Sequence, residues 1–252
     1  MIFYFYSMKK ETTIFGIHPV EEAVSSNVFI DKLFIQKGIA NPKIDAIVKD
    51  LEKKHCTISY VPFEKLTKLT QGNHQGIIAI TSPIAFHPLE EIVENFIHAK
   101  ENPLFLILDQ ISDVRNFGAI LRTAECTGVD AVIIQKKGGA PVSGDAVKTS
   151  AGAIYKIPIC KVDHIKDAIY YLQGSGVETI GATEKTEDSL YSLELKKPLA
   201  VVMGSEDKGI SKSVLAILDH KASLPLLGEI NSLNVSVACG AFLYEIVRQR
   251  TL

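Results

Sequence analysis

SLPLLGEINSLNVSVACGAFLYEIVRQR, residues 223–250, holds a short apolar run, a polar turn and a long apolar-rich segment, in that order. The run Leu224-Pro225-Leu226-Leu227 breaks at Gly228, and after Glu229-Ile230-Asn231-Ser232 the apolar residues continue far enough to require a helix. Arg248 and Arg250 suit the carboxyl end of that helix, where the macrodipole favours positive charge. Asn231, Ser232 and Asn234 crowd its start with side chains that can bond free backbone N–H groups. A helix needs only one N-cap. The surplus polar atoms are turn residues or part of a ligand site, and the chain upstream has to decide which.

Working back from that stretch, apolar runs alternate with helical patterns. Leu104–Leu108, Ala131–Ile134, Glu178–Ala182 and Leu199–Met203 read as buried strands, and Leu89–Lys100, Ala119–Thr127, Lys166–Gln173 and Lys212–Ile217 as helices. Near-continuous apolar strands interleaved with helices predict an α/β domain with a mainly parallel sheet covered on both faces. In such sheets the ligand sits at the carboxyl ends of the strands. Three loops there carry chemistry.

The first, Asp109–Gly118, leaves a buried strand with Asp109, Asp113, Arg115 and Asn116, and the helix read from Ala119 carries Arg122 about a turn inside it. Asn116 as a plain N-cap is the simpler reading. Arg122 in an apolar helix is harder to set aside, because arginine is seldom buried without a carboxylate or phosphate partner. The second loop, Gly204-Ser-Glu-Asp-Lys-Gly209, has two glycines but Ile210 where a P-loop needs lysine, and no strand is followed by GxGxxG. A nucleotide triphosphatase and a dinucleotide dehydrogenase are therefore disfavoured. Glu206 is held between those glycines. The third loop is the stretch quoted first, and all three precede helices at one end of the sheet.

The front of the chain reads as a separate small α/β domain, residues 1–83, with 84–90 as linker and 91–252 as the second domain. Pro19 opens a helix with Glu21 and Glu22 in its first turn; strands at Lys32–Ile35, Thr57–Val61 and Gly76–Thr81 flank a helix at Lys43–Lys54. In Gln71-Gly-Asn-His-Gln-Gly76 the glycines predict a turn, with His74 structural. Residues 1–10, MIFYFYSMKK, read as an unstructured extension, with Met8 as a second start. They lack the basic lead and the length of a signal-peptide core.

Bulk properties bound the rest. The chain is 46% hydrophobic and 22% charged, ordinary for a globular protein, and no apolar run approaches the roughly 18 residues of a membrane span. Cys56, Cys126, Cys160 and Cys239 are too scattered for a zinc motif and too few for a disulfide framework, so they read as reduced thiols of a cytoplasmic protein with no metal. Residues 1–85 carry ten lysines and no arginine against eight acidic residues; the remainder has seventeen basic against twenty-one acidic. A slightly basic front half hints at RNA, and a mixed solvated surface explains it nearly as well.

NFGAILRTA at 116–124, VMGSEDKG at 202–209 and LPLLGEINSLNVSVA at 224–238 together resemble the three signature motifs of the SpoU (TrmH) family of RNA ribose 2′-O-methyltransferases. FGIHPVEEAV at 15–24 and HQGIIAI at 74–80 resemble the substrate-binding domain of members acting on a guanosine of 23S ribosomal RNA. One departure is Asp113-Val-Arg-Asn116, where the family more often has proline and then histidine or glycine before the asparagine. The resemblance implies a SPOUT domain with a deep trefoil knot, S-adenosylmethionine as methyl donor, structured RNA as substrate, and a homodimer formed through the knotted domain with each site completed across the interface. It also implies residue roles. Thr183, Gly204, Leu224, Leu226 and Leu233 would line the donor pocket, while Asn116, Arg122, Glu206, Ser232 and Asn234 would form the catalytic side, with Glu206 fixing Arg122 or Asn116 and Ser232 orienting a phosphate at the helix start. Because arginine holds its proton in water at any ordinary pH, Arg122 is expected to stabilise charge rather than act as base. Transfer RNA is the rival substrate, and a catalytically silent RNA-binding protein on the same fold is the rival class.

Overall fold

The computed structural model describes residues 13–54 and 56–252. The aromatic opening and the alternative start at Met8 lie outside them. The chain divides into two compact units, residues 1–85 with 142–144 and residues 86–141 with 145–252.

The first unit runs β1 (Thr13–Phe15), α1 (Ile17–Ser25), β2 (Ile30–Gln36), α2 (Pro42–Lys53), β3 (Thr57–Val61), α3 (Phe63–Leu69) and β4 (Ile77–Thr81). Its sheet has the order β1-β4-β2-β3, with β2 and β3 parallel and β4 antiparallel to both its neighbours. Leu33, Ile35, Ile77 and Ala79 from the sheet pack against Ile44, Ile47 and Leu51, which recur at helical spacing along α2. The glycine-flanked turn is structural, as its composition predicts. Gln75 and Gly76 take positive φ, at 50° and 80°, and His74 is buried with Nδ1 accepting the Gly76 N–H at 3.0 Å. Gln75 reaches back and accepts the Ile17 N–H at 2.9 Å, supplying α1 with the cap that Gly16 cannot provide.

The second unit runs α4 (Leu89–Ala99), β5 (Leu104–Asp109), α5 (Val114–Cys126), β6 (Ala131–Gln135), α6 (Gly144–Thr149), β7 (Ile159–Val162), α7 (Ile165–Gly174), β8 (Glu178–Ala182), β9 (Leu199–Gly204), α8 (Lys212–Leu215), β10 (His220–Ala222) and α9 (Val235–Thr251). All the strand pairs of its six-stranded sheet, in the order β10-β8-β9-β5-β6-β7, are parallel. Every residue of β5 and β9 is buried, as the sequence predicts for strands covered on both faces. Phe105 and Ile107 point into the layer holding Val93 of α4 and Ile169 of α7. The pleat then turns Leu106 and Leu108 to the opposite face, where α5 and α9 pack on each other and α9 on β9. Each such side chain taken fully from water contributes about 1.5–3 kcal/mol.

Several elements differ from the sequence reading. Residues 86–90, placed in a linker, belong to the second unit: the His87 N–H bonds the Ile159 carbonyl at 3.0 Å, and α4 already begins at Leu89. The edge strand β7, the short α3 and the short α6 had no strong pattern to announce them. The apolar run from Ser223 to Leu226 is not a strand. β10 stops at Ala222, because Pro225 has no N–H to give a ladder and its apolar neighbours are used elsewhere.

Candidate functional site

Helix α5 begins at Val114, five residues earlier than its apolar pattern suggested, so Asn116 is not its cap. Asp113 fills that position, with Oδ1 accepting the N–H groups of Arg115 at 2.9 Å and Asn116 at 2.8 Å. Asn116 therefore sits inside the first turn with its side chain free for other work. Two residues on, Gly118 is where α5 meets α6: a Cβ there would lie 1.9 Å from Thr149 Oγ1. The buried Asp109, which ends β5, accepts the Ser211 N–H at 2.8 Å and fixes the entry to α8, a structural role.

The second loop is a tight reversal. Ser205 and Gly209 exchange backbone hydrogen bonds at 3.2 and 2.8 Å, and a Cβ on Gly204 would stand 2.0 Å from the Ile210 nitrogen. Both glycines are thus demanded by the loop's own closure, which leaves Glu206 at its tip. At the third loop Asn234 is the N-cap of α9, with Oδ1 accepting the Ser236 N–H at 2.9 Å. Ser232 lies two residues outside the cap, exposed, so it does not stand on the helix terminus itself.

These three loops meet through two side-chain amides and a carboxylate. Asn116 Nδ2 donates to Glu206 Oε1 at 2.5 Å, and Asn116 Oδ1 accepts from Asn234 Nδ2 at 3.1 Å. Of the two partners expected for Glu206, the structure selects Asn116. Arg122 stands apart. It is exposed on α5, forms no hydrogen bond or ion pair among the described residues, and is not in the lining of the cleft. The expectation of a buried, paired arginine fails because α5 turns this side chain outward.

The cleft itself opens beyond the carboxyl ends of β8, β9 and β10, where an open parallel sheet holds its ligands. Its volume is about 320 Å³, within the roughly 300–1,000 Å³ of small-molecule sites. Thr183, Gly204, Leu224, Leu226 and Leu233 line it, together with Glu206 and Ser232. Sequence reasoning missed Met203, Ala238 and Phe242 as lining residues. The last two lie four apart on α9, so helical spacing was the signal that could have found them. No hydrogen bond among the described residues uses the backbone of residues 224–233, so the lining residues Leu224, Leu226 and Leu233 bring unused backbone groups as well as apolar side chains to the cleft. That combination suits a flat heteroaromatic ring with polar edges. Burial pushes the Cys239 thiol, one residue from the cleft, up to about 12, so it stays neutral and acts as packing. Among the described residues no group of His, Cys, Asp or Glu could hold a metal ion.

A wholly parallel α/β sheet with a cleft at the carboxyl ends of its strands, in a chain that begins with a small mixed-sheet unit, defines a two-unit α/β protein with a ligand site. Residues 103–244 match the SpoU rRNA Methylase family, and residues 13–87 match the domain described as RNA 2′-O ribose methyltransferase substrate binding. A Staphylococcus aureus (strain MSSA476) protein named for the TrmH family of tRNA/rRNA methyltransferases is 34% identical over 241 residues, covering 96% of this chain and 97% of that one. The SpoU methyltransferase AviRb from Streptomyces viridochromogenes, solved in complex with AdoMet, aligns with a TM-score of 0.61 at 21% identity, covering 96% of this chain and 91% of the other. An AdoMet-bound rRNA methyltransferase from Sinorhizobium meliloti aligns with a TM-score of 0.61 at 23% identity, covering 95% and 87%. The chain belongs to the SpoU (TrmH) family of RNA methyltransferases.

Proposed function

We propose that this protein transfers a methyl group from S-adenosylmethionine to a ribose 2′-hydroxyl of structured RNA in the cytoplasm, with a guanosine of 23S ribosomal RNA as the favoured target. The observation that carries the reading is that the second and third motif loops line one cleft and the first is tied to both of them, Asn116 donating to Glu206 and accepting from Asn234. The cleft fits the donor: Leu224, Leu226, Leu233 and Phe242 offer apolar walls, and the unpaired backbone of the third loop offers groups to bond the adenine edge. A donor bound there would supply an electrophilic methyl on a sulfonium, leaving as the neutral thioether S-adenosylhomocysteine while the 2′-hydroxyl becomes a methyl ether and gives its proton to solvent. The chain has then to hold the hydroxyl in line and steady the charge that develops on its oxygen. The Asn116 line holds the acceptor side, and Thr183 and Gly204 form the floor.

Arg122 supports a dimeric reading. It lies on an exposed face of α5 with Cys126, and α9 exposes Val237 and Tyr244, more apolar surface than a single copy uses. A second copy packed on the Val237 and Tyr244 side of α9 would leave each Arg122 uncovered and turned toward the other copy's cleft. The knot belongs to the same proposal. Transfer RNA is the second reading, favoured by the name of the Staphylococcus aureus relative. The test is methyl transfer from labelled donor to unmodified 23S ribosomal RNA and to total transfer RNA. Label on a ribose of ribosomal RNA, lost in Arg122→Ala, is expected. Label on transfer RNA alone would move the substrate, and no label with no donor binding would leave a silent RNA-binding protein.

A further inference from the structure

The Asp113-Val-Arg-Asn116 departure from the usual motif places an arginine directly before the asparagine of the hydrogen-bonded line. Arg115 is exposed, in the first turn of α5, and forms no hydrogen bond or ion pair with its side chain among the described residues. Arg122 follows seven residues later, which is close to two full turns, so the two arginines project from one face of the helix about 10 Å apart along its axis. Ala119 stands between them and adds no bulk.

No ion pair among the described residues joins an acid to either arginine. Asp113 is turned onto the backbone N–H groups of Arg115 and Asn116, and Glu206 onto the Asn116 amide. A guanidinium with no partner, exposed beside the hydrogen-bonded line, is suited to a phosphate oxygen pair.

We propose that Arg115 is a second phosphate ligand of this site, gripping the RNA backbone beside the target nucleotide while Arg122 serves the target itself. The proposal rests on the RNA methyltransferase reading. Arg115 is then a positioning residue: it sets where the RNA lies and takes no part in breaking the C–S bond.

The experiment measures binding of a 23S ribosomal RNA transcript and of total transfer RNA across a salt series. It compares the parent protein with Arg115→Ala, Arg115→Lys and, as a charge-matched control, Lys196→Ala, which lies just ahead of the amino end of β9, at the end of the strands opposite the cleft. Arg115→Ala is expected to weaken binding of the substrate RNA about ten-fold and to reduce the slope of log affinity against log salt by about one. KM for RNA should rise with kcat held, and calorimetric affinity for S-adenosylmethionine should not move. Arg115→Lys should keep the parent slope, and so should Lys196→Ala. A parent-like slope and affinity in Arg115→Ala would overturn the proposal. So would a change in sedimenting mass with RNA binding intact, which would make this face a contact between copies. A parent protein that binds neither RNA would sink the methyltransferase reading along with it.

Discussion

Asn116 has both ends of its amide engaged, donating to Glu206 and accepting from Asn234, so neither the rotamer nor the flip of the side chain is free. That arrangement joins residues ninety and more than a hundred positions apart, and each partner is itself anchored: Asn234 caps α9, and Glu206 rides a loop closed by its own glycines. Removing Asn116 leaves a carboxylate and an amide without their shared partner. Asn116→Ala should lower methyl transfer on the order of 100-fold, because displacing a reacting group by a small distance costs that much. Affinity for S-adenosylmethionine should stay within a few-fold, since the cleft walls are untouched. Asn116→Asp should be worse than alanine, as it sets a second carboxylate against Glu206. Single-turnover rates beside calorimetric donor binding check both, and a parallel loss of donor affinity in Asn116→Ala would show that the line shapes the cleft rather than the chemistry.

At the scale of elements, what was legible in the sequence followed apolar periodicity. β5 and β9 read as unbroken apolar runs because both their faces are covered, and α9 because its apolar residues extend well beyond any strand. The start of α5 was not legible. Val114-Arg115-Asn116 carries no apolar stripe, and the signal that sets the boundary is the Asp113 carboxylate on two N–H groups, which is a matter of geometry. β7 was missed because four residues after a proline on a sheet edge resemble a loop. The lining residues named from the motifs all reach the cleft, whereas the orientation of Arg122 and the pairing of Asn116 depend on contacts between distant segments that local patterns do not encode. The interface of α5 with α6 offers a test at this scale. Gly118→Ala forces its new methyl against Thr149 and the backbone of Ser150, and should cost about 1–3 kcal/mol of stability in urea unfolding. Adding Thr149→Gly, which removes the struck side chain, should give part of that loss back relative to Thr149→Gly alone.

The chain holds a parallel-sheet unit carrying the cleft and a smaller unit with its own core, and no helix among the described residues is long and apolar enough to cross a membrane. The cleft is built only when β8, β9, β10 and α9 are together, so a ligand that fills it binds the folded state alone. S-adenosylmethionine at about 100 times its dissociation constant should therefore stabilise the second unit by roughly 2.7 kcal/mol. Thermal unfolding followed with and without donor checks this. A melting temperature indifferent to donor, in protein that transfers methyl groups, would place the donor elsewhere.

Helix α9 closes on the rest of the fold through its last turn. Arg250 does more there than complement a dipole: its guanidinium donates to the carbonyls of Asn102 at 2.7 Å, Leu195 at 3.1 Å and Lys197 at 2.6 Å, the segments that lead into β5 and β9. The same helix supplies Val235, Ala238 and Phe242 to the cleft. During synthesis the strands therefore leave the ribosome well before the piece that both latches their entrances and walls the cleft. A nascent chain can assemble much of the sheet while its cleft still lacks a wall, and the pocket is complete only once this late helix has emerged and locked in place.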